Sequence, residues 1–429
     1  MAQPPLVVIL EGRVIGQVQR TRANRLRFTY EDDATLPGRT PLSLSMPTGD
    51  LSFADERVER WLRALLPESN GALNAVGRRY PGVDRSDPLS LLAALGKDCP
   101  GAVQFCAPLE VAEVVSRGGT LEPQSASDIE QRLAELRINE NASWVMPGEH
   151  WSLGGTQAKF ALRRVGEKWF EAQGSQPTSH ILKPGVHGMK AQALVEHISM
   201  RAAAACGVDV AFTEHIEFKT ESAIVIKRFD RRPEGEGLAR LHQEDLCQAL
   251  GVSEKYEEHG GPSAARIIAM LRDYSSRARE ARANVNHFVD GLIFNTIIGA
   301  PDAHARNYAL MLDGESVRLA PLFDISTGLV YESQESRLLS MSIGGEFHSD
   351  KIGREHWARF AGENELDEER VLDRAREMAE VAPVAMRTAL DEVDDDDWTG
   401  AVAELRERLV PALDARTRQN VEALGTSAS

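Results

Sequence analysis

The first hundred residues alternate between strand-like and helix-like patterns of apolar side chains. Leu6 to Leu10 is a β-rich run that ends in a Glu11-Gly12 turn, and apolar and polar positions alternate again from Leu26 to Tyr30. A period of two is typical of half-buried strands. We therefore expect a small sheet over residues 6–30, followed by an extended segment over 41–47.

Two helices and a linker are expected next. The apolar residues between Val58 and Leu65 recur at helical spacing, and Ser52 is the expected N-cap of their helix. A shorter helix is expected over 88–95, where Gly96 would end it. The polar stretch 118–127 is rich in Gly, Pro and Ser and is interpreted as a linker.

The pattern changes from strands to helices near residue 230. Strands are expected over 160–164, 168–172, 180–184, 216–218 and 223–228, with one helix over 192–205. Later helices are expected over 242–250, 263–281 and 284–298, and again beyond about 353. A hairpin over 308–320 would interrupt this helical part. The chain thus predicts a mixed α and β protein that becomes mostly helical.

Composition and charge limit the class of protein and of partner. The chain has 429 residues, 42% hydrophobic and 27% charged, as expected for a soluble globular protein of two or three domains. Its four cysteines form no C-x-x-C pair, and no signal peptide opens the chain. No apolar run reaches the ~18 residues of a membrane span, so no such span is expected. The scattered cysteines fit a reducing compartment, and we expect a cytoplasmic protein. The net charge of −16 disfavours direct binding to DNA.

One loop and a residue beyond the following hairpin carry the groups that phosphoryl transfer requires. Asn307 follows Asp302 by five positions, and Asp324 follows Asn307 by 17. The first spacing is that of the base and the metal-binding amide in protein kinases, and magnesium takes oxygen ligands. The pattern predicts a base at Asp302 and metal ligands at Asn307 and Asp324. The alternative is a loop whose Asp and Asn side chains cap backbone groups.

A glycine-containing turn and a strand lysine precede this loop. In Ser152–Lys159, Gly154 and Gly155 would let backbone N–H groups approach phosphate oxygens, although a tight β-turn explains the same glycines. Lys183 ends a predicted strand and would hold ATP phosphates, the alternative being an exposed strand-end lysine. Glu196, on the following helix, would either pair with Lys183 or stay solvated.

Two further segments have competing interpretations. The strand over 223–228 ends at a candidate hinge, where Phe229 would either border the adenine ring or belong to the core. The acidic run Asp394–Asp397 is interpreted as a solvated helix start rather than a metal site. Acids favour helix N-termini, and four adjacent acids cannot all converge on one ion.

Together, these motifs resemble the HipA family, the serine/threonine-kinase toxins of bacterial HipBA-type toxin–antitoxin systems. In the N-terminal part the likeness rests on residues 12–30, 41–47, 65–68 and 91–103. In the remainder it rests on Ser152–Lys159, Leu182–Pro184, Arg228–Arg231, Lys255-Tyr256, Gly260–Pro262, Asp302–Asn307 and Phe323-Asp324. The resemblance covers most of the chain.

The resemblance implies an α+β, bilobal protein-kinase-like fold. A small N-terminal α/β subdomain would occupy residues 1–110. An N-lobe with the Gly-rich loop, the lysine strand and the hinge would follow over 111–230, and a mostly helical C-lobe over 231–429.

The resemblance also implies a role for each site residue. Asp302 would be the catalytic base, Asn307 and Asp324 would hold Mg²⁺, and Ser152 would be the autophosphorylated serine. The residues that would bind ATP are Leu153, Gly154, Gly155, Thr156, Gln157, Ala158, Lys159, Lys183, Lys227, Arg228, Phe229 and His304. His304 would orient the base or contact the nucleotide.

The sequence departs from the family pattern at some positions. Gly154-Gly155-Thr156 stands where Ala-Gly-Ala-type sequences are common, Ala158 replaces a frequent acid, and Ala303 stands where Gly is usual. Residues 185–195 also differ in composition, which leaves the protein target open. Family members phosphorylate aminoacyl-tRNA synthetases, so such an enzyme is the expected substrate.

The expected partner is a HipB-like helix-turn-helix antitoxin, through which the chain would meet DNA only indirectly. Two other functions remain open from the sequence. One is a module that docks the antitoxin without significant kinase activity, which the acidic composition suits. The other is a small-molecule kinase on the same fold.

Overall fold

The chain folds into two compact units. A computed structural model describes residues 4–139, 142, 144–186, 188–331, 337–394 and 400–425. The first unit comprises Met1–His187, Ile216–Ser253 and Leu310–Val317. The second comprises Gly188–His215, Glu254–Ala309 and Arg318–Ser429. The division into three domains over residues 1–110, 111–230 and 231–429 remains a prediction.

The first unit begins with a five-stranded sheet. Its strands are β1 (Leu6–Leu10), β2 (Arg13–Arg20), β3 (Leu26–Tyr30), β4 (Ser52–Phe53) and β5 (Val103–Cys106). Their order is β4-β3-β2-β1-β5, and β1 pairs antiparallel with both β2 and β5. Glu11 and Gly12 join β1 to β2 with φ of 51° and 76°, as a two-residue hairpin turn requires. The predicted sheet over 6–30 is confirmed.

Three helices follow in this part of the first unit, and one predicted cap is wrong. They are α1 (Glu56–Ala64), α2 (Asn70–Arg79) and α3 (Pro88–Leu95). Asp55 caps α1 by accepting the N–H of Arg57, whereas the expected cap, Ser52, lies in β4. α3 has the predicted bounds and ends at Gly96, while α2 was not predicted from the sequence.

The segment 41–47 turns instead of remaining extended. Ser43 and Met46 pair across the turn. The reason lies in Glu244, whose carboxylate accepts the N–H of Leu44 at 2.8 Å and so bends the backbone towards it. The expectation of an extended segment is therefore wrong.

A six-stranded sheet forms the centre of the first unit. Its strands are β6 (Leu121–Gln124), β7 (Phe160–Val165), β8 (Lys168–Ala172), β9 (His180–Lys183), β10 (Thr213–Glu217) and β11 (Ser222–Lys227). Helix α4 (Val111–Val115) precedes β6, and helix α5 (Ala126–Ile138) lies between β6 and β7 in the chain. The sheet order is β10-β11-β9-β7-β8-β6, so β6 is an edge strand inside the stretch interpreted as a linker.

Three short strands follow, and the last of them replaces the start of a predicted helix. They are β12 (Arg231–Glu234), β13 (Gly237–Arg240) and β14 (His242–Asp245), followed by α7 (Leu246–Leu250). The helix expected over 242–250 thus begins only at Leu246, where Asp245 caps it through Gln248. The hairpin of β15 (Ala309–Asp313) and β16 (Ser316–Leu319) forms as predicted and joins β14 in a three-stranded sheet.

The second unit is built mainly from helices. They are α6 (Gln192–Ala205), α8 (Ala264–Tyr274), α9 (Ala278–Ile297), α10 (Arg354–Glu363), α11 (Glu368–Asp394) and α12 (Ala401–Leu424). One small hairpin, β17 (Leu338–Ile343) with β18 (Glu346–His348), accompanies them. α11 packs against α6, α9, α10 and α12, so it is the central helix of this unit. No helix in the described ranges has the length and apolarity needed to cross a membrane.

Two helix boundaries in this unit differ from expectation. The helix expected over 263–281 is two helices, because α8 ends before Ser275 and α9 starts at Ala278. Asp394 is the last residue of α11 and does not start a helix. Residues 395–397 of the acidic run lie outside the described part of the chain.

Candidate active site

One cavity in the second unit brings together the three residues predicted as base and metal ligands. It follows α9, whose apolar residues Phe288, Val289, Ile293 and Ile297 are buried. The cavity is lined by Asn295, Ala300, Asp302, Ala303, Asn307, Tyr308, Leu322, Phe323, Asp324, Ile325 and Ser326. Asp302, Asn307 and Asp324 therefore meet at one place, although 17 positions of sequence separate the last two.

The loop that carries Asp302 is closed by its own asparagine. The side-chain amide of Asn307 donates to the backbone oxygen of Asp302 at 2.5 Å, and its backbone N–H donates to His304 at 2.8 Å. The backbone of Ala305 is in turn held by the carbonyl of Lys255 at 3.2 Å. Asn307 thus caps the loop with its nitrogen while it lines the cavity. The capping and metal-binding interpretations are compatible, because they use different atoms of the amide.

Asp302 is accessible to solvent but held in one orientation. Its side chain is 65% exposed. The hydroxyl of Tyr256 donates to its Oδ1 at 2.7 Å. A hydroxyl substrate can therefore reach the carboxylate, while the phenol fixes the direction in which it points. Tyr256 belongs to the Lys255-Tyr256 family motif, but no sequence pattern predicted its contact with Asp302.

His304 packs beside this pair. Its side chain is only 6% exposed, and Nε2 lies 3.8 Å from Oδ1 of Asp302. The ring meets that of Tyr256 edge-on, with centroids 5.0 Å apart and planes at 86°. Burial lowers the pKa of His304, and the opposing effect of Asp302 is smaller. His304 is therefore neutral near neutral pH and supports the orientation of its neighbours by packing.

The backbone at Asp324 is held in an unusual conformation. Asp324 has φ of 62°, in the left-handed region that side chains other than glycine rarely adopt. The preceding strand-like segment is fixed, because Leu322 donates to Asp209 at 2.9 Å and accepts from Ala211 at 2.8 Å. Such strain persists only where surrounding structure imposes it, and it is common at functional sites.

The donor set of the cavity fits a hard divalent cation. Asp302, Asn307 and Asp324 offer only oxygen ligands, which magnesium prefers. Within the described ranges, no group of three or more His, Cys, Asp or Glu residues forms a complete protein cage for a metal. Magnesium in kinases is held by few protein ligands together with substrate phosphates, so this sparse set is suitable.

In the first unit, the glycine-containing turn packs against residues 64–68. A Cβ on Gly154 would lie 2.5 Å from the backbone oxygen of Ala64, and Gly155 has φ of +95°. The oxygen of Gly155 accepts from Glu68 at 2.9 Å, and Nζ of Lys159 donates to the oxygen of Gly154 at 2.8 Å. Both glycines are therefore required by this packing and conformation.

Ser152 lies at the start of this turn and is almost fully buried. Its residue exposure is 1%, and its hydroxyl donates to the backbone oxygen of Leu65 at 2.6 Å. Leu153 is also buried, whereas Thr156 is the exposed tip of the turn, with Gln157 and Ala158 half-buried beside it. A group added to the Ser152 hydroxyl has no room in this conformation.

Lys183 and Glu196 are both buried, which rules out the alternatives left open for them. Lys183, at the end of β9, is 5% exposed and is not a solvated strand-end lysine. Glu196, on α6, is 1% exposed and accepts a hydrogen bond from Gln192 at 3.3 Å. The two residues belong to different units, and their pairing stays a prediction.

The candidate hinge has one residue whose side chain is already engaged. The guanidinium of Arg228 is buried and donates to Asp230, to the hydroxyl of Thr178 and to the oxygen of Cys99. Any contact of Arg228 with a nucleotide must therefore use its backbone. Lys227 is exposed, and Phe229 is half-buried.

The fold and the cavity define the class of the protein. It is an α+β protein of kinase-like fold, in which strand-rich and helix-rich parts alternate as the sequence predicted. The cavity lined by Asp302, Asn307 and Asp324 lies within its helical unit.

Comparisons with known proteins give the family. The HipA-like C-terminal domain matches residues 151–386, and the HipA N-terminal domain matches 6–106. The Y4mE protein of Sinorhizobium fredii is 29% identical over 397 residues, covering 90% of this chain and 91% of its own. The serine/threonine-protein kinase toxin HipA of Shewanella oneidensis is 28% identical over 340 residues, covering 75% and 74%.

A solved structure has the same fold. The HipA, HipB and operator DNA complex of the Shewanella oneidensis toxin–antitoxin system matches with a TM-score of 0.80 at 24% identity, over 99% of this chain and 100% of that chain. The chain belongs to the HipA family, as the sequence motifs predicted.

Proposed function

We propose that this protein is an ATP- and magnesium-dependent serine/threonine protein kinase and the toxin of a toxin–antitoxin module. The observation that carries the proposal is the cavity shared by Asp302, Asn307 and Asp324. Membership of the HipA family supports it. The buried Lys183 and the glycine-containing turn are the remaining groups that such a kinase needs.

The proposed reaction is in-line transfer of the γ-phosphoryl group of ATP to a hydroxyl. The hydroxyl oxygen forms a bond to the γ-phosphorus, and the bond from that phosphorus to the β–γ bridging oxygen breaks. ADP leaves with that electron pair, and the carboxylate of Asp302 accepts the hydroxyl proton. Asn307 and Asp324 would hold magnesium, which supplies charge neutralisation for the phosphates.

The proposed nucleotide-binding residues are those that the sequence motifs predicted. Backbone N–H groups of residues 153–159 would contact the phosphates, and Lys183 would pair with them. Lys227, Phe229 and the backbone of Arg228 would border the adenine ring. His304 would orient Asp302, which its burial beside Tyr256 supports.

Replacement of the proposed base is the direct test. Asp302→Asn keeps the size of the side chain but cannot accept the proton, so transfer of labelled phosphate should fall by at least about 100-fold. Binding of a non-hydrolysable ATP analogue should persist. Asp273→Asn, an exposed change on α8, is the matched control. Undiminished phosphate transfer by Asp302→Asn would refute the assigned base.

We also propose that Ser152 is autophosphorylated. A phosphate carries about −1.5 to −2 charge at pH 7, which a site with 1% exposure cannot accommodate. The phosphorylated turn would therefore have to leave its place beside Leu65. Intact-mass analysis after incubation with ATP should show one added phosphate that Ser152→Ala lacks. Modification at another residue, unchanged in Ser152→Ala, would contradict the assignment.

The proposed partners are a HipB-like antitoxin and a translation enzyme, with an aminoacyl-tRNA synthetase as the expected substrate. The net charge of −16 suits a basic DNA-binding partner. Phosphoproteomics after induced expression of the wild type and Asp302→Asn should identify the substrate as a site present in the first sample only. Toxicity that survives in Asn307→Ala would favour a docking role without catalysis.

A further inference from the structure

Helix α9 contains two buried asparagines with very different hydrogen bonding. Asn284 is fully used, because its Nδ2 donates to the hydroxyl of Ser275 at 3.0 Å and its Oδ1 accepts from Leu319 at 2.9 Å. Asn295 is 4% exposed, and its Nδ2 donates to the hydroxyl of Tyr308 at 3.3 Å. Its Oδ1 is buried without any hydrogen-bond partner in the part of the chain that the structure describes.

An acceptor left without a donor in the interior is costly. Burying an unsatisfied polar atom costs about 1–3 kcal/mol, and most such atoms in proteins have an ordered water, an ion or a functional role. A leucine of similar size would avoid this cost. We therefore expect a bound group to donate a hydrogen bond to Oδ1 of Asn295.

The position of Asn295 indicates what that group is. Asn295 lines the same cavity as Asp302, Asn307 and Asp324. Magnesium retains several of its water molecules when it binds proteins, and those waters are strong hydrogen-bond donors. A neutral amide oxygen beside a carboxylate-lined cation site suits such a water.

We propose that Asn295 is a positioning residue of the cation site. Its Oδ1 accepts a hydrogen bond from a water molecule bound to the magnesium that Asn307 and Asp324 would hold. This inference rests on the proposed function, since it assumes that magnesium binds in this cavity. It adds a residue that the spacing of the loop motif did not indicate.

Two substitutions at position 295 and one on the same helix test the inference. Asn295→Leu removes the acceptor at nearly constant volume, and Asn295→Asp retains an oxygen there. Asn284→Ala is the matched control, because it removes a buried asparagine of α9 whose two bonds lie outside the cavity. Magnesium is titrated into each full-length protein with a saturating non-hydrolysable ATP analogue, and binding is followed by calorimetry. Thermal unfolding without magnesium is measured in parallel.

Asn295→Leu should weaken magnesium binding about 10-fold, the usual effect of losing an outer-shell partner. Its thermal midpoint without magnesium should stay near that of the wild type, because removal of the unsatisfied acceptor offsets the loss of the hydrogen bond to the buried Tyr308 hydroxyl. Asn295→Asp should bind magnesium at least as tightly as the wild type. Asn284→Ala should lower the thermal midpoint but leave magnesium affinity unchanged.

Wild-type affinity in Asn295→Leu would overturn the inference, as would equal weakening in Asn295→Asp. Failure of the wild type itself to bind magnesium with the nucleotide analogue would instead remove the proposed function. The two failures are therefore distinguishable in one set of titrations.

Discussion

Asp302 depends on its neighbours for orientation. The side chain of Asp302 is 65% exposed, so packing alone does not fix its rotamer. The hydroxyl of Tyr256 fixes it by donating a hydrogen bond to Oδ1 at 2.7 Å. The buried ring of His304 supports Tyr256 edge-on and limits its movement. Catalysis by a base requires its oxygen at hydrogen-bonding distance from the substrate, so this support should affect the rate of transfer more than nucleotide binding.

Tyr256→Phe should therefore lower kcat roughly 10-fold, because the ring remains but the hydrogen bond that orients the proposed base is lost. The KM for ATP should change less than about twofold, since Asp302 contributes little to ground-state binding. Steady-state phosphorylation assays measure both values. Tyr274→Phe, at a tyrosine 43% exposed on α8, is the control. An equal loss in both variants, or a change in KM alone, would speak against a positioning role.

The sequence indicated part of this site. Asp302, Asn307 and Asp324 could be predicted because a short loop and one hairpin place them together, so their spacing reflects their geometry. Tyr256 lies 46 positions before Asp302, and no local pattern connects the two. Asn295 lies in the apolar stripe of α9, where a single amide does not indicate a cavity.

Glu244 organises a segment that the sequence pattern misinterpreted. It lies on β14 with 1% exposure, accepts the N–H of Leu44 at 2.8 Å and accepts from Nε1 of Trp61 at 3.1 Å. His242, two residues earlier, is also buried and contacts the oxygen of Leu42 at 3.0 Å. His242 and Glu244 point inward at alternate positions, so the segment forms a strand, although the sequence pattern predicted a helix. Such tertiary hydrogen bonds are not visible in a sequence.

Burial raises the pKa of Glu244 to about 7 from a usual value of 4.5, and its hydrogen bonds oppose this only partly. The folded state therefore binds a proton more tightly than the unfolded state. The contribution of Glu244 to stability is full below pH 4.5 and is lost as pH rises through about 7. The total change is on the order of 3 kcal/mol.

Glu244→Gln should remove this pH dependence, because glutamine stays neutral and still accepts a hydrogen bond. As pH rises from 5 to 7.5, the wild type should lose this stabilisation and the variant should not. The unfolding free energy of the variant should therefore rise relative to that of the wild type. Urea unfolding at several pH values provides the measurement. Glu236→Gln, at an exposed position, should show a constant difference. A constant difference for Glu244→Gln as well would contradict the raised pKa.

At the scale of the whole first unit, one apolar core crosses the boundary between the two family domains. It runs from residues of the N-terminal sheet, such as Phe28 and Phe105, to residues of the six-stranded sheet, such as Phe160 and Val225. The sequence periodicity predicted most strands of both sheets. It did not indicate that they share a core, because periodicity reports which face is buried and not what covers it.

A buried ionic network joins the loop before β5 to the segment that follows the six-stranded sheet, which includes the β12–β13 hairpin. Asp98, from the N-terminal part, accepts from Arg231 at 2.9 Å and from Arg240 at 2.8 Å, and lies 3.4 Å from Arg228. Burial alone would raise the pKa of Asp98, but the three guanidinium groups hold it well below its usual range. The carboxylate therefore remains charged at every physiological pH and neutralises positive charge that has no access to water.

Asp98→Ala should destabilise the first unit by about 3–5 kcal/mol, because it leaves buried guanidinium groups without their carboxylate. Tryptophan fluorescence in urea is a suitable measurement, since Trp61, Trp144, Trp151 and Trp169 all lie in this unit. Asp50→Ala, at an exposed position of the same unit, should change the unfolding free energy by less than about 0.5 kcal/mol. If Asp98→Ala unfolded at the wild-type urea concentration, the network would not be what holds these two parts of the unit together. Their association would then depend on the shared apolar core alone.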